Sequence, residues 1–149
     1  MVALTDLRRL LVADRGLAVV TTLRGDGTVS ASLVNVGVVR HPVDDQEVMA
    51  FVVRGVAHKL PRLRRQGLTT VVVHAGWEWA SATGSVDVVG PDDPLAGFDP
   101  VDLPALLRDV YQAAGGTHDD WDAFDRAMAE ERRAAVLVRP ARLGGNVAP

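Results

Sequence analysis

The sequence predicts an α+β domain in which a mainly antiparallel sheet closes as a small β-barrel with flanking helices. Two observations support this fold class. Six segments have the apolar, β-branched composition of strands, and several are joined by short turns, as antiparallel neighbours require. Helical periodicity is confined to four other segments. With 149 residues, 48% of them hydrophobic, the chain fits one core, and we expect a single domain over residues 1–149.

The first predicted elements are an amphipathic helix and a hairpin. Leucines recur at helical spacing over residues 4–13, and Gly16 follows as a stop signal. Residues 17–23 are β-branched and apolar, the Asp-Gly turn chemistry lies in residues 24–27, and residues 28–39 continue as a second strand. The hairpin is therefore predicted to consist of two uninterrupted strands.

The middle of the chain is predicted to contain three further strands and one short helix. Residues 47–54 are apolar at consecutive positions, which predicts a strand buried on both faces. A short, strongly basic helix follows and crosses over the sheet. Residues 68–74 and 77–89 then read as an antiparallel pair joined tightly at Ala75 and Gly76.

The last third of the chain is predicted to contain two helices and a final strand. Residues 103–114 have helical periodicity and end at two glycines, after which Thr117 is the expected N-cap of a second helix. Residues 134–138 form the expected last strand, which Pro140 ends. We expect residues 144–149 to be a poorly ordered tail.

Composition and motifs exclude several classes of function. Without cysteine there is no disulfide or thiolate chemistry. The histidines lack paired metal-ligand spacing, so no metal site is expected, and the phosphate-loop, dinucleotide and serine-nucleophile motifs are absent. A formal net charge of −3 argues against a nucleic-acid partner. Because the amino terminus lacks a signal peptide's apolar core and no run approaches membrane length, we expect no membrane partner and a cytoplasmic location.

A basic cluster after the strand at 47–54 is the main indication of a binding site. Its members are Arg54, His58, Lys59, Arg62, Arg64 and Arg65. Such a cluster in an acidic chain predicts an anion site for a phosphate or carboxylate, and its position between a strand end and a helix start favours this interpretation. The alternative is a solvated helix face. Arg62 and Arg65 in particular share a face that is compatible with simple exposure.

Four segments in order resemble the split β-barrel flavin and deazaflavin oxidoreductases. They are DGTVSASLVNVGV, VMAFVVRGVAHKLPRLR, HAGWEWASATG and AAGGTHDDWDAFDRAMAEERRAAVLVRP. More closely, the chain resembles the actinobacterial branch of the pyridoxamine-5'-phosphate-oxidase-like superfamily, which uses the deazaflavin coenzyme F420. The resemblance implies an FMN-binding type of split barrel that forms a homodimer with its cofactor groove at the interface.

The resemblance also implies a function and a set of site residues. The implied function is a reductase that transfers hydride from F420 to a small organic acceptor, and no dedicated catalytic residue is named because the cofactor supplies the chemistry. The alternatives are an FMN-dependent oxidoreductase and a non-catalytic F420-binding carrier. The implied cofactor-binding residues are Asn35, Val36, Gly37, Val52, Val53, Arg54, His58, Lys59 and Trp77.

Asn35 and Trp77 have structural alternatives that the sequence leaves open. Strand alternation places Asn35 on an apolar face, so its amide needs a partner, which is either a backbone group or the cofactor. Gly37 leaves room for a flat ring to approach. Trp77 and Trp79 are predicted to share a strand face, where they wall a cofactor or pack a dimer interface, and the resemblance assigns Trp77 to the partner subunit's site.

Overall fold

The computed structural model describes residues 1–148. The helices are α1 (Leu4–Ala13), α2 (Lys59–Gln66), α3 (Leu103–Ala113) and α4 (Trp121–Glu130), with a short 3₁₀ helix (Pro100–Asp102) before α3. The strands are β1 (Leu17–Leu23), β2 (Val29–Asn35), β3 (Gly37–Arg40), β4 (Glu47–Val53), β5 (Leu68–Ala75), β6 (Glu78–Val89), β7 (Ala134–Val138) and β8 (Arg142–Gly145). The predicted α+β class with a mainly antiparallel sheet is confirmed.

The strands close into a barrel made of two half-sheets. The hydrogen-bonded order is β2-β1-β5-β6-β7-β4-β3, and every pair is antiparallel. The first and last strands of this order, β2 and β3, are separated in sequence only by Val36. One continuous stretch of chain therefore closes the barrel. Residues 78–85 of β6 pair with β5, whereas residues 86–89 pair with β7. β6 thus joins the two half-sheets.

Two apolar cores lie on opposite sides of β4 and β7. The barrel interior holds Phe51 and Met49 together with Leu7 and Leu10 of α1. The second core packs the outer side chains of β4 and β7 against α3 and α4; its members include Val48, Ala50, Leu106, Leu107, Val110, Phe124, Ala135 and Leu137. Since β4 contributes to both cores, it is buried on both faces as its sequence predicts.

The predicted strand over residues 28–39 is wrong in one respect, because it is broken at Val36. The Val36 N–H donates to the carbonyl of Gly16 at 2.7 Å. Before Val36 the chain pairs with β1, and after it the chain pairs with β4. At Val36 itself, this bond takes the place of a hydrogen bond between strands. The break lets one segment of chain pair first with β1 and then with β4, and β-branched composition alone does not reveal it.

Two further predictions at the carboxyl-terminal end are wrong. Residues 142–145, part of which was expected to be a disordered tail, form β8 on β6, and Asn146 extends this pairing by accepting from the Trp79 N–H at 2.7 Å. Pro149 lies outside the described residues. α4 is capped by Asp120, whose carboxylate accepts from the Ala123 N–H at 3.0 Å, and not by Thr117.

No helix within residues 1–148 combines the length and the hydropathy that crossing a membrane requires.

Candidate functional site

A cavity of about 340 Å³ lies between the barrel and α3. One wall is formed by β2 and β4, the opposite wall by α3, and the mouth by the turn that follows β4. The lining residues are Val34, Asn35, Val52, Val53, Arg54, Ala57, Lys59, Val110, Tyr111, Ala114 and Arg133. The cavity thus has mostly apolar walls and three cationic side chains.

The turn after β4 directs two of these cations towards the cavity. Its position is set by Gly55, whose N–H donates to the carbonyl of Glu131 at 3.0 Å. A Cβ atom on Gly55 would lie 2.8 Å from the carbonyl oxygen of Arg132, so a larger residue would push the turn away from the end of α4. The turn ends where α2 begins at Lys59, which places Arg54 and Lys59 on the same cavity.

Lys59 is the cation whose environment is most informative. Its side chain is half-buried, and it forms no ion pair with any residue of the described chain. Burial lowers the pKa of the Lys59 ammonium below its ordinary value, because desolvation disfavours the charged form. A partly desolvated, unpaired ammonium at the mouth of an apolar cavity matches an anionic group on a ligand.

The other two cavity cations share one carboxylate. Arg133 contacts Glu131 Oε2 at 2.6 Å, and Arg54 lies 3.9 Å from the same oxygen. Hydrogen bonding from Arg133, with a smaller contribution from the charge of Arg54, holds the pKa of the Glu131 carboxyl below its ordinary value. Glu131 therefore remains ionised at neutral pH and bridges the two arginines.

The remaining arginines of α2 point elsewhere. Arg64 makes a bidentate ion pair with Asp93, with both contacts at 2.7 Å. Arg65 donates to the carbonyl of Leu23 at 3.3 Å, and Arg62 is half-buried without lining the cavity. The basic cluster seen in the sequence is thus divided, and within it only Arg54 and Lys59 reach the cavity.

The structure brings five predicted site residues together. Asn35, Val52, Val53, Arg54 and Lys59 all line the cavity. The Asn35 amide Nδ2 donates to the carbonyl of Arg15 at 3.1 Å, which is the backbone partner that the sequence left as one alternative. This bond fixes the Asn35 side chain against the turn between α1 and β1.

Val36 and Gly37 lie outside this cavity. They line a separate crevice of about 150 Å³ beside α1, together with the carboxyl end of α3. A Cβ atom on Gly37 would lie 2.6 Å from both the Cβ of Ala113 and the N of Ala114. The space expected for a flat ring beside Gly37 is therefore filled by α3, which corrects the sequence-based expectation. The glycine is required for helix packing.

His58 and Trp77 do not line the cavity either. His58 is exposed immediately before α2 and makes no side-chain cap. Trp77 lies in the turn before β6 with 91% of its surface exposed, whereas Trp79 lies within the strand. The predicted shared strand face is therefore wrong for Trp77. Neither His58 nor Trp77 therefore contributes to the cavity lining of a single chain.

Sequence reasoning missed the α3 wall, and it left the role of Arg133 open between a partner for the helix dipole and a contact to the cofactor's tail. Tyr111 is held by its hydroxyl, which donates to the carbonyl of Thr117 at 3.0 Å, and by Phe124, whose ring centroid lies 4.9 Å away. The chain has a single tyrosine, and it falls on the apolar side of α3, which was a usable signal. No signal in the sequence indicated that α3 covers the end of β4.

The cavity is suited to binding a largely apolar ligand that has an anionic end. Valine and alanine side chains dominate its walls, and the cations lie together near the turn after β4. No group of three or more potential metal-ligating side chains occurs in the described residues. The apolar walls and the clustered cations suit the binding of an anionic ligand.

Comparison with known proteins establishes the architecture. No protein-family model matches the sequence. A conserved hypothetical protein from Mycobacterium tuberculosis superposes with a TM-score of 0.68 at 15% identity, covering 97% of this chain and 84% of that one. A pyridoxamine 5'-phosphate oxidase-related, FMN-binding protein from Nostoc punctiforme has a TM-score of 0.64 at 12% identity, with coverages of 95% and 82%. The chain has the split-barrel fold.

A further structural neighbour is an F420 reductase, with a TM-score of 0.59 and 18% identity over 86% of this chain and 88% of that one. Solved split barrels thus include a protein described as FMN-binding and one described as an F420 reductase. Identities of 12–18% show a shared fold. The cofactor and the activity have to be argued from the cavity of this chain.

Proposed function

We propose that this protein is an oxidoreductase that binds the deazaflavin coenzyme F420 in the cavity between β2, β4 and α3 and passes hydride to a small organic acceptor. The observation that supports this most directly is Lys59, a half-buried ammonium without an ion pair at the mouth of an apolar cavity. A phosphate group there forms charge-assisted hydrogen bonds, worth about 1.5–3 kcal/mol each.

The residues present fit such a cofactor. Val52, Val53 and Val110 provide the apolar walls for a tricyclic ring, and Arg54 and Lys59 are positioned for the phosphate. When bound, F420 supplies the hydride. The chain's own residues would bind and orient the ring, and solvent would supply the proton that a neutral acceptor takes up with the hydride, so no dedicated acid–base residue is named.

We further propose that the site is completed in a two-fold homodimer. The outward face of β1, β2 and β5 is apolar yet uncovered: Val29 and Leu33 are 59% and 62% exposed, and Leu23 and Leu68 lie on the same side of the sheet. An isologous contact across this face removes the apolar surface from water. Trp77, exposed at the turn before β6, then reaches the partner subunit's cavity.

The assembly is tested by sedimentation. We expect the wild-type protein to sediment as a dimer at micromolar concentration and Leu33→Asp to sediment as a monomer, because the variant places a charge in the apolar face. Val101→Asp is the matched control, since Val101 is 75% exposed on the 3₁₀ helix, which packs on α3 and is not part of this face. A monomeric wild-type protein that still binds cofactor would contradict the proposal.

FMN is a second candidate cofactor, and one observation favours it. Arg64 is engaged by Asp93 and Arg65 by the carbonyl of Leu23, so the basic helix does not form a continuous cationic track away from the cavity. The cavity cations Arg54, Lys59 and Arg133 suffice for one phosphate. FMN has a single phosphate and lacks the acidic tail of F420.

Cofactor choice is decided by fluorescence titration of the purified protein with F420 and FMN separately. Because F420 carries both a phosphodiester and carboxylates near a cationic mouth, we expect it to bind more tightly than FMN. Equal or tighter binding of FMN reverses this ranking and favours FMN as the cofactor. Riboflavin, which shares the ring of FMN but has no phosphate, serves as the control for ring binding alone.

A further inference from the structure

We propose that Arg133 is a third cation of the phosphate subsite and that Glu131 is the positioning residue that orients its guanidinium. Neither residue lies in the basic segment after β4; both follow α4 in the sequence. The inference rests on the proposed function, because it requires a ligand that carries a phosphate group. The proposed function is tested by whether a flavin-type cofactor binds. The present inference is tested by which residues contact the phosphate of that cofactor.

The hydrogen bonds of Arg133 leave part of its guanidinium available to a ligand. Its Nε and Nη2 atoms both contact Glu131 Oε2 at 2.6 Å. Among the described residues, Nη1 has no hydrogen-bond partner, and the side chain lines the cavity. A guanidinium held along one edge has lost its rotamer freedom before the ligand arrives, so its remaining N–H groups bind an anion at a lower entropic cost.

Glu131 also connects this arginine to the turn after β4. Its carboxylate lies 3.9 Å from Nε of Arg54, and its carbonyl accepts the Gly55 N–H at 3.0 Å. One residue therefore sets the relative position of Arg54 and Arg133 on the cavity. With Lys59 the group has three positive charges against one negative charge, and the excess suits a phosphate oxyanion.

The neighbouring Arg132 shows that this arrangement is specific to one position. Arg132 forms an ion pair with Asp92 on the exposed surface and does not line the cavity. Two adjacent arginines thus have different partners. Both line a separate crevice beside α4, but of the two only Arg133 also lines the cavity. Arg126 on α4 is exposed and forms no ion pair among the described residues, which makes it a suitable control for loss of charge.

The test compares ligands with and without phosphate. Dissociation constants of Arg133→Met, Glu131→Gln and Arg126→Met are measured for FMN against riboflavin and for F420 against its phosphate-free deazaflavin chromophore. We expect Arg133→Met to weaken binding of the phosphate-bearing ligand about tenfold. Glu131→Gln loosens the hold on Arg133 but also removes a negative charge from the subsite, so it should weaken phosphate-dependent binding less than Arg133→Met does. Both variants should leave the phosphate-free ligands unaffected, and Arg126→Met should resemble wild type.

Two outcomes would overturn the inference. One is an equal loss for ligands with and without phosphate, which would mean that Arg133 only shapes the cavity. The other is unchanged binding of every ligand. If the wild type binds no flavin or deazaflavin, the proposed function fails, and inorganic phosphate becomes the probe for the subsite. A melting temperature that phosphate raises in the wild type but not in Arg133→Met supports the subsite. If phosphate does not raise the melting temperature of the wild type, the subsite is refuted.

Discussion

Replacing Lys59 with alanine is expected to weaken F420 binding by about 1–3 kcal/mol, roughly tenfold to a hundredfold. Lys59 is the one cavity cation without an acidic partner in the described chain, and burial already disfavours its charge. An anionic group of the proposed cofactor would therefore be its main compensating contact. The measurement is a fluorescence titration of the variant with F420.

The fold should tolerate this change. An ammonium that is desolvated without a partner contributes little to stability, so the melting temperature without cofactor should change only slightly. The increase in melting temperature caused by the cofactor should shrink. Arg65→Ala is the control, because Arg65 is exposed and bonds only the carbonyl of Leu23. If Arg65→Ala loses F420 binding while Lys59→Ala does not, the anion site lies further along α2.

Gly84→Ala is expected to lower the free energy of unfolding by about 3 kcal/mol. Gly84 lies in β6 just before the strand changes its partner from β5 to β7. A Cβ atom there would overlap the carbonyl oxygen of Arg139, and it would lie 3.2 Å from the N of Ala141. Both contacts are with backbone, so the chain between β7 and β8 has to move.

Urea or thermal unfolding measures this effect, with an expected fall in melting temperature of about 6–12 °C for a domain of this size. Gly25→Ala is the matched control, because Gly25 lies in the exposed β1–β2 turn with no heavy atom within 4 Å of an added Cβ. If both variants lose a similar, small amount of stability, the backbone of residues 139–141 is not tightly packed against Gly84.

Much of the fold followed from local sequence patterns. The bounds of α1 and β1 agree with their leucine spacing and β-branched run, and the double burial of β4 was predicted from its consecutive apolar residues. The break at Val36 and the strand β8 were missed. Each depends on a partner distant in sequence, Gly16 in one case and β6 in the other, so neither produces a periodic signal.

The residues of the candidate site were also predicted only in part. Arg54 and Lys59 were predicted because a strand end followed by a basic helix start is visible in the sequence, and both line the cavity. Arg64 was grouped with them, but Asp93 binds it on another side of α2. A run of like charges shows how many cations are present and leaves open which partners each one finds.

By itself, the sequence determined the kinds of elements, their order and the concentration of cations after β4, because propensity, turn chemistry and periodicity act between residues close along the chain. The tertiary structure alone decided that α3 covers the end of β4, that it fills the space beside Gly37, and that Arg54 and Arg133 meet at Glu131 beside the cavity. These contacts join segments tens of residues apart. They depend on how the barrel closes and where the helices pack upon it, which no single segment specifies.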